Sequence, residues 1–298
     1  MEPRLQFVQD LVKPLRVTPG QTVKLARDYD PGYTGGLQSR DEATARMADG
    51  LDLLVDYQDR LAAQDTFGLV LVLQGLDAAG KDGTVKHVMS GVNPQGCEVT
   101  AFKRPSPDEL SHDFLWRCEK ALPARGRIGI FNRSYYEEVL VTRVHPDVLA
   151  AQHLPPDAAS GKKLWHQRYE DINAFEHHLQ RNGTRLVKLF LHVSKDEQKQ
   201  RLLERLDNPA KHWKFSAADL AERAYFDEYT HAYERALTAT STPWAPWYVV
   251  PADHKYAGRA LVGGVLAHVI EQLDLHLPEP DGDELASLDR ARQALLAE

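Results

Sequence analysis

The chain has 298 residues, enough for one large α/β domain with helical additions that buries most of its apolar surface. Its composition, 43% hydrophobic and 27% charged, is that of an ordinary folded protein, and a net charge of −7 argues against broad binding to nucleic acid or to an anionic membrane. The N-terminus lacks the apolar core of a signal peptide, and no apolar run approaches the roughly 20 residues that span a bilayer, so a cytoplasmic protein is expected.

Residues 1–40 are rich in Pro and Gly and read as an N-terminal arm lying extended on a core. They end in DYDPGYTGGLQSRDEA, where the DPG and GG steps mark turns ahead of a helix that starts at Ser39 or Asp41. From 41 to 63, Met47, Leu51, Leu54, Tyr57 and Leu61 recur at helical spacing. Then FGLVLVLQGLDAAGKDGTVKHVMSGV passes from a short continuous apolar run, through a Gly-containing loop, into a helix beginning near Lys81. A run this short and this apolar suits a strand buried on both faces of a parallel sheet. Further strands are expected at 97–102, 127–132, 184–193 and 246–251, with helices at 107–121, 134–144, 161–181, 195–207, 216–240 and 255–275. The alternation predicts an α/β fold in which helices cover both faces of a parallel sheet, as a single domain over 41–275. Residues 276–298 read as a surface helix or a loosely attached tail. The only cysteines, Cys97 and Cys118, suggest neither a disulfide framework nor a zinc site, since there is no Cys-x-x-Cys and no His at metal spacing.

The chemistry starts at GLDAAGKDG, Gly75 to Gly83, which satisfies the phosphate-loop spacing at Gly75, Gly80 and Lys81 but carries Asp82 where a Ser or Thr is usual. Backbone N–H groups feeding a helix N-terminus bind phosphate, glycines let the chain approach the anion, and Lys81 adds a point charge. The second motif is RIGIFNRSYYEE. Its strand ends in Asn132, followed by Arg133, where phosphate-loop enzymes place a magnesium-binding acid. An amide oxygen is a weak ligand for a hard cation, so Asp77 and Asp82 are the nearest acids to supply the charge, with Glu137 a third candidate. Asp77 is the first choice because it sits where the loop passes the phosphates; its bland alternative is a carboxylate that steadies the loop. Between 81 and 143 there are ten cations against eight anions, in a chain that is acidic as a whole. Lys103, Arg104 and Arg133 follow strand ends, where α/β proteins bind ligands. The third motif, EQKQRLLERLDNPAKHWKFS, puts Arg201 and Arg205 four apart on a helix and Lys211 and Lys214 in the loop beyond, an arrangement suited to a lid over phosphates or simply to an exposed basic helix.

Taken together, GLDAAGKDGT (75–84), FKRPSPDEL (102–110), FNRSYYEEVLVTRVHP (131–146) and NPAKHWKFS (208–216) resemble the polyphosphate kinase 2 family, over about residues 30 to 270. The resemblance implies a three-layer phosphate-loop kinase fold like that of thymidylate kinase, with a helical lid at about 201–223. It also implies transfer of phosphate between inorganic polyphosphate and AMP, ADP or ATP with magnesium or manganese. The family's loop normally reads Gly-Lys-Asp, so Asp82 is its signature. By the same transfer Asp77, Lys81, Arg133 and Glu137 would be catalytic, with Asp77 and Asp82 holding metal. Gly75, Ala78, Ala79, Gly80, Lys81, Asp82, Gly83, Lys86, Lys103, Arg104 and Arg133 would line the phosphate site, and Asn132, Glu137, Arg201, Arg205, Lys211 and Lys214 the nucleotide and lid side. Asn132-Arg133-Ser134-Tyr135-Tyr136-Glu137 resembles the subgroup that phosphorylates both AMP and ADP, and relatives form homodimers or tetramers. An ATP-using kinase and a nucleotide sensor without turnover are the competing readings on this fold.

Overall fold

The computed structural model describes residues 3–158 and 160–298. A helix, α1 (Pro3–Val12), opens the arm, a short α2 (Leu25–Asp28) follows, and the long α3 (Arg40–Gln64) leads into β1 (Gly68–Gly75). Next come α4 (Lys81–Val88), β2 (Cys97–Ala101), one-turn helices α5 (Pro107–Leu110) and α6 (Trp116–Glu119), β3 (Ile128–Asn132), α7 (Glu137–Val144) and α8 (Pro146–Ala150). The second half holds α9 (Gly161–Arg181), β4 (Thr184–His192), α10 (Lys195–Asp207), α11 (Ala217–Arg223), α12 (Phe226–Thr240), β5 (Trp247–Pro251), α13 (Lys255–Glu271) and α14 (Gly282–Leu296).

The five strands form one sheet in the order β2-β3-β1-β4-β5, and every pairing is parallel. Central β1 explains its own apolar run. Leu69, Leu71 and Leu73 join the layer with Leu54, Leu61 and Leu261, while Val70 and Val72 join the opposite one with Ile172, Tyr233 and Leu237. Helices α1, α3, α4 and α13 therefore cover one face and α7, α9 and α12 the other, which gives the three expected layers. In α3 the Ser39 hydroxyl accepts the Glu42 N–H, so the chain starts its helix at the first of the two expected caps. Leu54 and Leu61 are buried as the periodicity requires; the side chains of Met47 and Leu51 lie outside the described residues.

Three expected elements come out differently. The arm is not extended throughout: α1 occupies its first third and α2 interrupts it again, and the stretch between them runs beside β5, where Val17 N–H donates to Trp247 O at 2.8 Å. The single helix expected at 107–121 is two separate turns, because Ser106 closes a capping box with Glu109, Ser111 bonds back to Asp108 O, and Asp113 caps Leu115. Short polar side chains there capture backbone groups that a continuous helix would use. The helix expected at 216–240 breaks at Ala224–Tyr225 into α11 and α12. At the C-terminus α14 forms behind an Asp281–Glu284 capping box and is exposed along its whole length. Among the described residues no helix is long and apolar enough to cross a membrane.

Candidate active site

The site lies beyond the C-terminal ends of β1 and β3, where the crossover after β1 runs toward β2 and the one after β3 runs the opposite way to β4, opening a crevice between them. Residue 75 must be small: a Cβ there would stand 3.1 Å from both Ala79 Cβ and Leu191 O. At the other end of the loop Gly80 caps α4 with φ 107°, a left-handed conformation that glycine adopts without strain. Helix α10 holds the loop. The Arg201 guanidinium donates to Ala78 O at 3.0 Å and Ala79 O at 2.8 Å, and also to Ala252 O and Asp253 O, while Gln198 donates to Asp77 O at 2.9 Å.

Arg201 lines the cleft over the loop as expected of a site residue, but it is 5% exposed and each of its guanidinium nitrogens is hydrogen-bonded, so it is held in place rather than carried on a free lid. Helical geometry alone would have put it beside Arg205; the tertiary fold turns it inward onto the loop. Arg201→Met is expected to cost about 2–3 kcal/mol of stability, because two buried carbonyls, Ala79 O and Ala252 O, and two part-buried ones lose their donor. Arg205→Met removes an ion pair to Asp219 (2.6 Å) and is expected to cost about 1 kcal/mol or less. Urea denaturation of the two variants checks the contrast.

Lys81 opens α4, and its Nζ, buried in the cleft, donates to Gly75 O at 2.6 Å and Leu76 O at 3.1 Å. Burial, with the Arg133 charge adding to it, lowers the ammonium pKa to about 8 against the opposing pull of Asp77, Glu137 and Asp82. Across the cleft Arg133 sits in a left-handed conformation (φ 66°), which costs a non-glycine residue about 1–3 kcal/mol and recurs at functional sites. Its guanidinium bridges two acids, Asp77 Oδ1 at 2.6 Å and Glu137 Oε2 at 2.8 Å. Gln74 Nε2 donates to the other Glu137 oxygen at 2.9 Å. Asn132, too weak as a metal ligand, has a positioning contact instead: its Nδ2 donates to Asp82 Oδ1 at 2.7 Å, so the strand that lacks an acid orients the one in the loop.

Two cavities meet along this line. The first, about 570 Å³, is lined by the loop from Asp77 to Thr84 and by Asn132 and Arg133, with Lys103, Arg205, Lys211, Lys214, Lys255 and Arg259 supplying positive charge. The second, about 1120 Å³, lies on the other side of Asp77, Phe102, Lys103 and Arg133, which line both. Its walls add Gly75, Arg104, Glu137, Thr142, His145, Tyr229 and Tyr233. Lys214 and Asp219, on the segment expected as a lid, also border both spaces. Of the expected phosphate residues only Lys86 is left outside both cavities: it follows Lys81 by five helical positions, about 140° around α4, and is exposed.

The structure adds cations that sequence reasoning missed. Lys255 and Arg259 are four apart at the start of α13 and line the first cavity. Burial and the neighbouring charges of Arg201 and Arg40 push the Arg259 guanidinium below its ordinary value, which marks a crowded positive channel. Their signal was available, since α13 follows the C-terminal end of a sheet strand, but only the strand order shows that this end faces the loop. Glu204 accepts from both Lys211 and Lys255 at 3.5 Å and so links the segment expected as a lid to α13.

Among the described residues no three His, Cys, Asp or Glu side chains gather into a site that would hold a metal alone. The first cavity instead offers Asp77 and Asp82. One or two carboxylates completed by substrate phosphates is how magnesium is commonly held, so these residues fit a divalent cation that arrives with phosphate. Glu137, the third acid, faces the second cavity.

The family model for polyphosphate kinase 2 matches residues 37–278. The chain belongs to the polyphosphate kinase 2 family. All four sequence motifs fall inside the matched span. An "ADP-polyphosphate phosphotransferase" of Rhodopseudomonas palustris is 49% identical over 287 residues, covering 95% of this chain and 98% of that protein. An "AMP/ADP-polyphosphate phosphotransferase" of Meiothermus ruber is 43% identical over 274 residues, covering 91% of this chain and 97% of that protein. The crystal structure of polyphosphate kinase 2 from Arthrobacter aurescens superimposes with a TM-score of 0.86 at 42% identity, over 95% of this chain and 96% of the other. The fold expected for polyphosphate kinase 2, a phosphate-loop kinase with a parallel sheet between helical layers, is thus the fold observed.

Proposed function

We propose that this polyphosphate kinase 2 chain transfers the terminal phosphoryl group of inorganic polyphosphate to AMP and ADP, giving ADP and ATP, and runs in reverse. The observation that carries the reading is the pair of cavities joined at Asp77 and Arg133. The cationic cleft over the loop suits an extended polyanion with about one charge per phosphate, and the wider cavity, with Leu140, Tyr229 and Tyr233 in its wall, suits a nucleotide. The names of the relatives from Rhodopseudomonas palustris and Meiothermus ruber support the same donor and acceptors.

In this reading an ionised oxygen on the nucleotide's terminal phosphate attacks the terminal phosphorus of polyphosphate. A new P–O bond forms as the bridging P–O bond breaks, and the shortened chain leaves with the electron pair. Because the nucleophile is already ionised, no side chain has to remove a proton. Lys81 and the loop hold the donor, Arg133 stands at the junction where the moving group crosses, and Glu137 and Asp77 fix the Arg133 fork. A magnesium or manganese ion held by Asp77 and Asp82 would neutralise charge on the transferring phosphates. The lid segment, with Arg205, Lys211 and Lys214, would close over both substrates and exclude water. The proposal includes a cytoplasmic location, where nucleotides are supplied, and a homo-oligomeric assembly with neither nucleic acid nor membrane as partner; the net charge of −7 supports the last point.

Purified protein incubated with AMP, magnesium and polyphosphate, with no ATP present, is expected to form ADP and then ATP. If neither product appears while an ATP-supplied reaction phosphorylates the acceptor, the polyphosphate reading is wrong and an ATP-using kinase takes its place.

A further inference from the structure

A third cavity, about 420 Å³, lies away from the catalytic line, between the N-terminal arm, α7, α9 and α12. Its arm wall is fixed in place. Glu234 accepts from the Leu25 N–H at 3.0 Å and from Lys24 Nζ at 2.9 Å, and the Thr238 hydroxyl accepts the Val23 N–H at 2.9 Å. Among the described residues, the one acid in the lining, Glu234, is thereby already engaged with the arm.

Three cations are left over. Arg143, half-buried, lies over the Trp165 ring at 4.6 Å and donates one N–H to Tyr169 Oη at 3.3 Å, while its Nε is buried with no hydrogen-bond partner among the described residues. Arg235 from α12 and Lys162 from α9 stand on the rim, and none of the three forms an ion pair among the described residues. Burial lowers the Arg143 pKa, Tyr169 opposes that shift, and the neighbouring Arg235 charge adds to it. Like charges held together without a counter-ion are destabilising unless something anionic occupies the space between them.

We propose that this groove is a second phosphate-binding site, in which Arg143, Arg235 and Lys162 hold a phosphate group of polyphosphate or of a nucleotide. Planar guanidinium groups pair with phosphate oxygens two at a time, and converging cations favour an anion of more than one charge. The choice of phosphate over other anions rests on the proposed phosphotransfer; the presence of an anion site rests on the groove alone. Helix α7 connects the two regions, since Val141 and Thr142 line the second cavity and the adjacent Arg143 lines the groove.

The test titrates the full chain with tripolyphosphate and, separately, with AMP, reading heat and the fluorescence of Trp165 against a Trp165→Phe control. A second class of binding is expected whose affinity falls at least about 10-fold in Lys162→Gln/Arg235→Gln. Both residues lie on the exposed rim, so unchanged melting of the variant is expected. Charge-dependent binding of tripolyphosphate alone assigns the site to the polymer, and of AMP as well to phosphate groups in general. Identical isotherms for the native chain and the double variant overturn the proposal. Failure of the donor assay leaves this binding readout intact, so the two readings fail separately.

Discussion

Lys81→Ala is expected to lower kcat for phosphoryl transfer from polyphosphate to AMP by about 10²–10³-fold, with a much smaller change in the KM for AMP. Removing one preorganised donor from a water-poor catalytic site has a cost of that order. The geometry gives the reason for the asymmetry between the two constants. Lys81 lines the cleft that we assign to the donor and does not line the cavity assigned to the nucleotide. Its ammonium is bonded to two carbonyls, Gly75 O and Leu76 O, neutral acceptors that charged phosphate oxygens in the cleft would outcompete. The stability change should be modest, because the variant leaves carbonyls without a donor but also removes a buried charge that Arg133 opposes. Steady-state rates at saturating polyphosphate, with a parallel melting curve, check both halves. A kcat within 10-fold of the native enzyme would remove Lys81 from the transferring phosphates.

The same cleft shows how much of the site was legible from the chain alone. The loop was readable because its signal is local: an apolar run, glycines at fixed spacing and a lysine at the helix start all lie within 14 residues. The sheet was readable for a similar reason, since burial on both faces writes itself as unbroken Val and Leu. What the chain did not disclose depends on contacts between distant segments. Arg201 and Arg205 are equivalent by helical spacing, yet one is locked on Ala78 and Ala79 carbonyls and the other pairs with Asp219. Lys255 and Arg259 join the phosphate cleft only because β5 and β1 flank β4 in the sheet. The helix expected over 107–121 failed through chemistry that was visible, the Ser106, Ser111 and Asp113 side chains, but whose strength against helix propagation is set by the surrounding packing.

Lys188 interrupts the apolar run of β4, and its replacement is expected to have the largest effect on stability of any single change away from the cleft. The ammonium is completely buried and donates to Glu176 Oε2 at 2.6 Å, Thr240 O at 2.7 Å and Tyr136 Oη at 3.0 Å. The other Glu176 oxygen accepts from the hydroxyls of Tyr135 and Tyr136 at 2.9 and 2.8 Å. Burial lowers the Lys188 pKa, with Glu176 opposing that shift. Lys188→Met strands the Glu176 carboxylate in the core and is expected to destabilise by about 3–5 kcal/mol, the usual cost of breaking a buried pair from one side. Adding Glu176→Gln removes the stranded charge while keeping an acceptor for the tyrosines, so the double variant is expected to recover part of that loss. The network also reaches the site. Tyr135 and Tyr136 directly follow Arg133 and Ser134, and anchoring them keeps the turn that holds Arg133 in its left-handed conformation. Lys188→Met should therefore reduce kcat at a temperature where the variant is still folded, although Lys188 lines neither substrate cavity. Urea denaturation of the two single variants and the double completes the cycle. A loss below about 1 kcal/mol in Lys188→Met would mean that the carboxylate takes up a proton in place of its partner, and the turn would then keep both its shape and its rate.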